Sequence, residues 1–270
     1  KYFLVDHKLR KNSSAEALFV KNLLKDFSID LDILSWYGKK PISNIQAVAR
    51  EKRYNILINH SKKFKINYIL FGHHEGDVYE NFFIRLLRGS GLKGIVSLDN
   101  KTLINKVNIL RPLIQVEKKD LIYISKKVFN KYVKDPSNED EIFTRVRIRN
   151  LIKNLENEGF DKKKFKLSIQ KLKNVDKSIQ YFCEKNLNEN CIISHNKVVL
   201  NWEFFNSPQE VLFRSFSQVL HLVGKKYYPP RGKKIITTLE NLQNKTTFKS
   251  TLGNCVIKKI NRTIIVFKER

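Results

Sequence analysis

The chain has 270 residues, of which 41% are apolar, and this is enough to build one large domain or two ordinary ones around a packed core. Its 52 Lys and Arg residues outnumber 26 Asp and Glu residues, and the formal charge of +26 favours a polyanionic partner, most commonly nucleic acid, over a membrane surface. The apolar runs stay shorter than the roughly 18 residues that span a bilayer, and three cysteines without a CxxC pair argue against disulfide, zinc and iron–sulfur frameworks and for a reducing cytoplasm.

Short apolar strands alternate with amphipathic helices through the first half of the chain. This alternation predicts an α/β fold in which a parallel sheet is flanked by helices. Ser13 or Ser14 is the predicted cap of the first helix, and glycines at 89 and 91 end the helix that follows Gly72. The predicted strands cover 2–5, 29–33, 68–71 and 103–114, further helices lie near 43–57 and 121–124, a turn falls at 135–138, and a basic helix covers 143–155.

The sequence changes character after about residue 155. The next segment, 156–190, is rich in lysine and asparagine and has helical spacing of its apolar residues, which predicts a connecting helix or a pair of helices. The rest predicts a small α+β domain, and its basic, aromatic segment 227–234 is either an RNA contact or a loop anchored by two tyrosines. Its predicted elements are strands at 198–200, 256–257 and 264–267 and a helix that opens at 207–208.

Polar residues gather where a predicted strand gives way to a helix. His73 and His74 follow the strand 68–71, and Asp77 and Glu80 lie three residues apart at the start of the next helix. Because open parallel sheets bind ligands at the carboxyl ends of their strands, these residues form a candidate site. Other candidates are Asp6 at the end of the first strand and the basic-helix residues Arg145 and Arg149, which share a face because they are four apart.

These residues also have purely structural interpretations. Asp77 and Glu80 in a first helical turn complement the helix dipole, and arginines such as Arg53 commonly lie on solvated helix faces. His73 and His74 are adjacent and point to opposite sides of an extended chain, so at most one of them faces the site. The turn at 135–138 is either structural or close to a nucleotide.

Six segments in a fixed order carry a resemblance to one family. On them the chain resembles the tRNA(Ile)-lysidine synthetase family of N-type ATP pyrophosphatases, well over residues 2–152 and weakly beyond. The segments are VDH with LR at 5–10, AREKRY at 49–54, GHH with Asp77 and Glu80 at 72–80, RGSG at 88–91, RPL at 111–113, and DPSN at 135–138 with Arg145, Arg147 and Arg149.

The resemblance implies a two-step, ATP-dependent ligase reaction in tRNA processing. ATP adenylates the 2-carbonyl oxygen of the wobble cytidine of tRNA(Ile) with a CAU anticodon, and free L-lysine then displaces AMP to leave lysidine. The implied cofactors are ATP and Mg²⁺, the implied partners are that tRNA and lysine, with no membrane, and a homodimer is allowed. The implied catalytic residues are Asp77, Glu80, Arg53 and Arg149, the implied cofactor-binding residues are Asp6, His73 and Arg145, and Asp77 is the implied Mg²⁺ ligand.

The same resemblance implies an adenine-nucleotide alpha-hydrolase-like fold with three parts. These are an ATP-pyrophosphatase-type catalytic domain over 1–152, a helical linker over 153–190 and a tRNA-binding domain over 191–270. Two readings compete with the lysidine synthetase. Another tRNA-modifying enzyme of the superfamily, such as a thiolase, is disfavoured by the absence of CxxC pairs, whereas a non-catalytic RNA-binding relative suits the +26 charge equally well.

The chain departs from the family pattern most clearly in lacking the SGGxDS loop that cradles phosphates. With the absence of methionine, this predicts that the sequence starts inside its gene and that these 270 residues alone are inactive. The strand that precedes the loop would lie between those at 2–5 and 68–71. Its loss predicts a gap of about twice the 4.8 Å strand spacing, or direct contact of the two strands. Smaller departures are Gly76, where the family often has an aspartate, and Val146, where it has an asparagine.

Overall fold

The computed structural model describes residues 1–42, 45–131, 140–226 and 230–269. The predicted turn at 135–138 and residues 227–229 of the basic, aromatic segment lie outside them. The chain forms two units, residues 1–162 and 163–270, and the predicted three-part division stays a prediction. The first unit contains β1 (Tyr2–Asp6), α1 (Ser13–Lys25), β2 (Leu31–Ser35), α2 (Ile45–Lys63), β3 (Tyr68–Leu70), α3 (Glu75–Leu87), α4 (Leu92–Ile95), β4 (Lys101–Ile104), β5 (Val107–Leu110), α5 (Lys118–Phe129) and α6 (Thr144–Asn157).

The first unit has two small sheets, and the predicted parallel pairings are present in both. β1 pairs with β2 in parallel register, with Tyr2 opposite Leu31. β3 pairs in parallel with β5, and β4 adds an antiparallel edge in the order β3-β5-β4. Within the described ranges no ladder joins β1 or β2 to β3, so β1 and β3 each have a single strand neighbour. Direct pairing of β1 with β3 is therefore not observed among the described residues, and the width of the gap between them stays a prediction.

The predicted single strand at 103–114 is wrong, because these residues belong to a hairpin. Asn105 and Lys106 turn the chain with φ values of 50° and 67°, both in the left-handed region that a two-residue hairpin turn requires. The sequence signal was weak because Lys at the second turn position is unusual, where glycine is typical. The consequence is that β4 runs antiparallel to β5 and the three-stranded sheet is mixed.

Helix α2 packs against both sheets of the first unit. Its Tyr54 and Ile58 form a buried cluster with Val107 and Ile109 of β5. On the other sheet, the ring of Phe3 in β1 meets α2 edge-to-face, with its centroid 4.9 Å from that of His60. Helix α2 contacts both β1 and β3, so side chains on its inner face lie close to both strands.

The second unit is built on a five-stranded antiparallel sheet in the order β6-β7-β10-β9-β8. Phe204, Phe216 and Ile264 are fully buried in its core. The predicted strands and the helix after Pro208 are confirmed, and residues 162–190 form one helix rather than a pair. The strands at 191–194 and 247–252 and the helix at 232–244 were not predicted. The elements are α7 (Lys162–Asn190), β6 (Cys191–Ser194), β7 (Lys197–Leu200), a 3₁₀ helix (Trp202–Asn206), α8 (Gln209–Gly224), α9 (Gly232–Asn244), β8 (Thr247–Leu252), β9 (Cys255–Ile260) and β10 (Thr263–Lys268).

Two further observations bear on the composition argument. Among the described residues, no helix combines the length and the apolar character needed to cross a membrane. Cys183, Cys191 and Cys255 form no disulfide with one another, and burial raises the pKa of Cys191 to about 12 and that of Cys255 to about 11. The thiols of Cys191 and Cys255 are therefore protonated and unreactive at neutral pH.

Candidate active site

The start of α3 places one carboxylate where it serves two purposes. The backbone N–H of His74 donates to Asp77 Oδ2 at 2.9 Å, and the N–H of Gly76 donates to His74 Nδ1 at 3.0 Å, so the two ends of the turn cap each other. Asp77 Oδ1 lies 3.4 Å from Arg145 Nη1 on α6. The structural interpretation of Asp77 is thus correct for one oxygen, and the other oxygen meets a cation.

Gly76 leaves room for the His74 ring in this cap. A Cβ at Gly76 would lie 2.9 Å from Cε1 of His74, closer than real Cβ contacts, so a side chain at position 76 would require the ring to shift.

Glu80 is the buried centre of the site. It is 3% exposed and lies one helical turn beyond Asp77. Because α3 packs against α6, Arg149 Nε reaches Glu80 Oε1 at 2.5 Å and Arg145 Nη1 approaches Oε2 at 3.7 Å. Oε2 has no hydrogen-bond partner among the described residues. The structure therefore brings together Asp77, Glu80, Arg145 and Arg149, a group that we call the α3–α6 cluster.

Arg53 on α2 lies within electrostatic range of the α3–α6 cluster. Burial lowers its pKa, Arg145 lowers it further, and Tyr54 and Asp77 raise it. Its Nε is buried and has no hydrogen-bond partner in the described part of the chain. A buried guanidinium with an unused donor suits an anion, because Arg presents its N–H groups to phosphate or carboxylate oxygens.

His73 faces the same region as a neutral ring. Burial lowers the pKa of His73 to about 4, against the opposing effect of Asp77, and Arg111 and Arg53 lower it further. Its Nδ1 is buried and unpartnered within the described residues. At neutral pH the imidazole is uncharged, so it can accept or donate a hydrogen bond without adding charge.

Asp6 is engaged by its own loop. It is 3% exposed and accepts hydrogen bonds from the N–H of Lys8 at 2.9 Å and from the hydroxyl of Ser14 at 2.6 Å. Burial raises the pKa of Asp6, but these hydrogen bonds more than offset it and hold the pKa below its usual value. Ser14 was a predicted helix cap, and its hydroxyl instead binds Asp6, while Asn12 is the residue that precedes α1.

Two residues of the matched segments have roles that the sequence did not indicate. Arg111 is 4% exposed and donates to the Asp99 carbonyl at 2.7 Å and to Thr102 Oγ1 at 2.9 Å, so it anchors the β4–β5 hairpin. Arg50 donates to the Tyr54 hydroxyl at 3.2 Å and acts electrostatically on Arg53 and His73. The i, i+3 spacing of Arg50 and Arg53 on a helix was the available signal for this second arginine.

Arg145 and Arg149 therefore contact two carboxylates beyond the carboxyl end of a parallel strand, and Arg53 lies within electrostatic range of Asp77. Guanidinium groups at this edge of an α/β domain suit the oxygens of a phosphate compound, and the carboxylates suit a cation. The PP-loop domain pattern matches residues 1–156, and the chain belongs to the PP-loop domain family.

Similar proteins and folds agree with this family. The tRNA(Ile)-lysidine synthase of Orientia tsutsugamushi (strain Boryong) is 32% identical, and that of Wolbachia pipientis wMel is 30% identical, each over 98% of this chain and 62% of the relative. The chain thus spans about three fifths of the length of these curated relatives. A solved structure, the U34-tRNA thiolase NcsA from Methanococcus maripaludis with its [4Fe-4S] cluster, shares the fold at 16% identity, with a TM-score of 0.53 over 64% of this chain and 60% of that one.

Proposed function

We propose that this protein uses ATP to join lysine to the 2-position of the wobble cytidine in tRNA(Ile) with a CAU anticodon. The family match and the names of the similar proteins support an ATP-dependent tRNA modification. The observation that carries the proposal is the α3–α6 cluster, in which two acidic and two guanidinium side chains meet within 2.5 to 3.7 Å. Both reaction steps need groups of these two charges.

In the first step the 2-carbonyl oxygen of cytidine bonds to the α-phosphorus of ATP as the bond to pyrophosphate breaks. Negative charge gathers on the phosphate oxygens, and Arg53, Arg145 and Arg149 would stabilise it because preoriented guanidinium groups lose little solvation during the reaction. His73 would donate or accept a hydrogen bond at the nucleotide without changing the net charge. Asp6 would act more remotely, by shaping the loop that ends β1.

In the second step the amine of lysine bonds to C2 of the cytidine as AMP leaves, and the amine loses a proton. Asp77 and Glu80 would attract the cationic amine and accept that proton. Glu80 Oε2 suits this purpose because it is buried and has no hydrogen-bond partner among the described residues.

Asp77 would also hold Mg²⁺. Its Oδ1 has only a long contact of 3.4 Å with Arg145, so this oxygen fits an ion that is bound jointly with phosphates. Among the described residues no three potential ligands cluster, which suits an ion that enters with ATP rather than a resident metal. When bound, Mg²⁺ would neutralise part of the negative charge of the phosphates.

The further expectations are that 191–270 binds tRNA, that the protein forms a homodimer, and that it acts in the cytoplasm. The excess of lysine and arginine supports tRNA binding, and cysteines that form no disulfide suit the cytoplasm. Light scattering with and without tRNA tests whether the protein is a homodimer. Sulfur chemistry has less support than ligation, because Cys183, Cys191 and Cys255 are buried or half-buried and form no cluster with other potential metal ligands in the described ranges.

Modification of a tRNA(Ile) transcript by the protein tests the proposal. Incubation of the full-length gene product with ATP and lysine should add the mass of lysine minus water to the wobble cytidine. Asp77→Asn should abolish this addition and leave salt-sensitive tRNA binding nearly unchanged, because the substitution removes a single charge from a mostly basic surface. Loss of binding and activity together would instead favour the non-catalytic RNA-binding alternative.

A further inference from the structure

A groove of about 410 Å³ lies between the carboxyl end of β2 and one face of α2. Its volume falls in the range of roughly 300–1,000 Å³ that is typical of small-ligand sites. The lining residues on α2 are three or four positions apart, so their side chains share one face of the helix. The groove is lined by Ser35, Trp36, Tyr37, Lys52, Asn55, Ile56 and Asn59.

One wall of the groove is a rigid, cation-covered indole. Trp36 is 5% exposed, and Lys40 Nζ lies 4.0 Å from the centroid of its ring. The same ammonium donates to the carbonyls of His7 at 2.8 Å and Trp36 at 2.9 Å. Lys40 thereby ties the ends of β1 and β2 together and fixes the indole in place.

Next to this fixed wall, Tyr37 presents an exposed ring. It is 78% exposed, and Lys8 Nζ lies 4.6 Å from its ring centroid. Lys8 itself has φ of 50°, a left-handed conformation that is costly for a residue with a side chain, and its N–H bond to Asp6 holds it there. An aromatic ring beside a lysine is the arrangement that stacks a base and attracts its phosphate.

The groove adjoins the candidate active site through His7. The rings of His7 and Trp36 meet edge-to-face with centroids 6.1 Å apart. Burial lowers the pKa of His7, and the nearby charge of Arg53 lowers it further. Lys52 of the groove is the chain neighbour of Arg53. The groove and the candidate active site therefore both lie along α2, where successive residues 52 and 53 belong to one and the other.

We propose that this groove binds one unpaired nucleotide of the RNA substrate, next to the nucleotide that reacts. Its base would stack on Tyr37, its edge would meet the amides of Asn55 and Asn59, and its phosphate would meet Lys8 or Lys52. Amide side chains offer both donors and acceptors, which suits a base edge. An apolar peptide is a poorer occupant, because the lining offers two lysine-flanked aromatic rings, two amides and only one aliphatic side chain, Ile56.

The position of this nucleotide beside the reacting one rests on the proposed function, but RNA binding at the groove can be measured alone. Binding of a fluorescently labelled RNA hairpin with an unpaired loop should weaken roughly 5- to 150-fold in Tyr37→Ala, the range of base–aromatic stacking. Tyr37→Phe keeps the ring and should bind like the wild type. Lys52→Gln should lower the slope of log affinity against log salt by about one.

Tyr123→Ala is the matched control. Tyr123 on α5 is 64% exposed and also has a lysine near its ring, with Lys127 Nζ 5.8 Å from the centroid. It lies outside the groove, so its removal should leave hairpin affinity unchanged. The inference is overturned if both tyrosine variants weaken binding equally, if neither does, or if a blunt RNA duplex without a loop loses as much affinity as the hairpin.

Catalysis separates this inference from the proposed function. If the full-length wild-type gene product binds the hairpin through Tyr37 but adds no lysine to tRNA, the proposed function is refuted and the groove is supported. If the wild type and Tyr37→Ala modify tRNA equally well at limiting RNA concentration, the groove proposal is refuted and the proposed function is not. The supporting result is a raised KM for tRNA in Tyr37→Ala with kcat near the wild-type value.

Discussion

Removal of the Arg149 side chain should destabilise the first unit, because it leaves a buried carboxylate short of a partner. Glu80 is 3% exposed, and Arg149 Nε donates to its Oε1 at 2.5 Å. Loss of one partner from a fully buried ion pair costs about 3–5 kcal/mol. Arg145 remains 3.7 Å from Glu80 Oε2, and Arg149 is 29% exposed, so we expect Arg149→Ala to cost about 1.5–3 kcal/mol, as for a hydrogen bond to a charged group.

Thermal and urea unfolding of the purified chain measure this loss. A change of 1 kcal/mol shifts Tm by about 2–4 °C in a unit of this size, so Arg149→Ala should lower Tm by about 3–12 °C. The matched control is Lys119→Ala, which removes an exposed pair. Lys119 Nζ lies 2.8 Å from Glu117 Oε2, with the two side chains 75% and 52% exposed, and its loss should leave Tm nearly unchanged because solvent screens the pair.

A double variant decides whether the uncovered charge is the cause. Glu80→Gln removes the charge that Arg149→Ala leaves unpaired, so the double variant should be more stable than the sum of the two single losses predicts. A coupling free energy of about 0.5–3 kcal/mol is expected for residues in direct contact. Strictly additive losses would refute the reasoning, since they would mean that Arg149 stabilises the unit by packing alone.

Three further predictions concern the pH dependence, a close backbone approach and the α3 cap. Burial lowers the pKa of His73 from 6.5 to about 4, so the unfolded chain binds more protons between these values and stability falls as the pH drops through that window; His73→Gln should flatten this slope in urea unfolding. Gly224→Ala places a Cβ 2.1 Å from the Gly253 carbonyl oxygen and should cost about 1–3 kcal/mol in thermal unfolding, whereas Gly232→Ala, 3.7 Å from Phe213, should cost little. The free energy of unfolding of Asp77→Ala should be about 0.5–2 kcal/mol lower than that of Asp77→Asn, because only Asn keeps an oxygen that can accept from the His74 N–H. Equal midpoints of urea unfolding for the two variants would contradict the capping role.

Much of the first unit could be predicted from local pattern. Apolar runs that end in polar residues marked β1 and β3, and the period of apolar residues marked α2, α3 and α6, because both patterns reflect one buried face. Asp77 and Glu80 indicated the start of α3, although His74 rather than a serine or aspartate precedes the helix. Such short-range signals suffice because the groups that satisfy the backbone lie within a few residues of each other.

The missed strands lack such a signal. β8 reads TFKSTL, with alternating Thr, Lys and Ser, because one face of this edge strand is in solvent. β6 is nearly as exposed, and Ile192 is 71% exposed on it. Both become strands by pairing with β9 and β7, so the cause lies in residues that are distant in the sequence or across a turn. Pattern in a single segment cannot contain that information.

The site shows the same division between local and long-range information. The three-residue spacing of Asp77 and Glu80 and the four-residue spacing of Arg145 and Arg149 correctly placed each pair on one helix face. The sequence did not indicate that Arg149 would pair with Glu80 while Arg145 lies between both acids, because that depends on how α3 packs against α6 across 69 residues of chain. Nor did it indicate that the hydrogen bonds to Asp6 would come from its own loop.

The structural and functional interpretations of Asp77 are not alternatives, because its two oxygens are used separately. The bond from His74 to Oδ2 fixes the rotation of the carboxylate, so Oδ1 is held toward α6, 3.4 Å from Arg145. A carboxylate oriented by a helix start loses little entropy when it binds a cation, which is the advantage of a preorganised ligand. Glu80 has no such cap, is held by Arg149 instead, and keeps a buried oxygen without a hydrogen-bond partner among the described residues. The cap and the ion pairs together therefore fix two carboxylates at a single point of α3, where a phosphate compound and a cationic amine would meet.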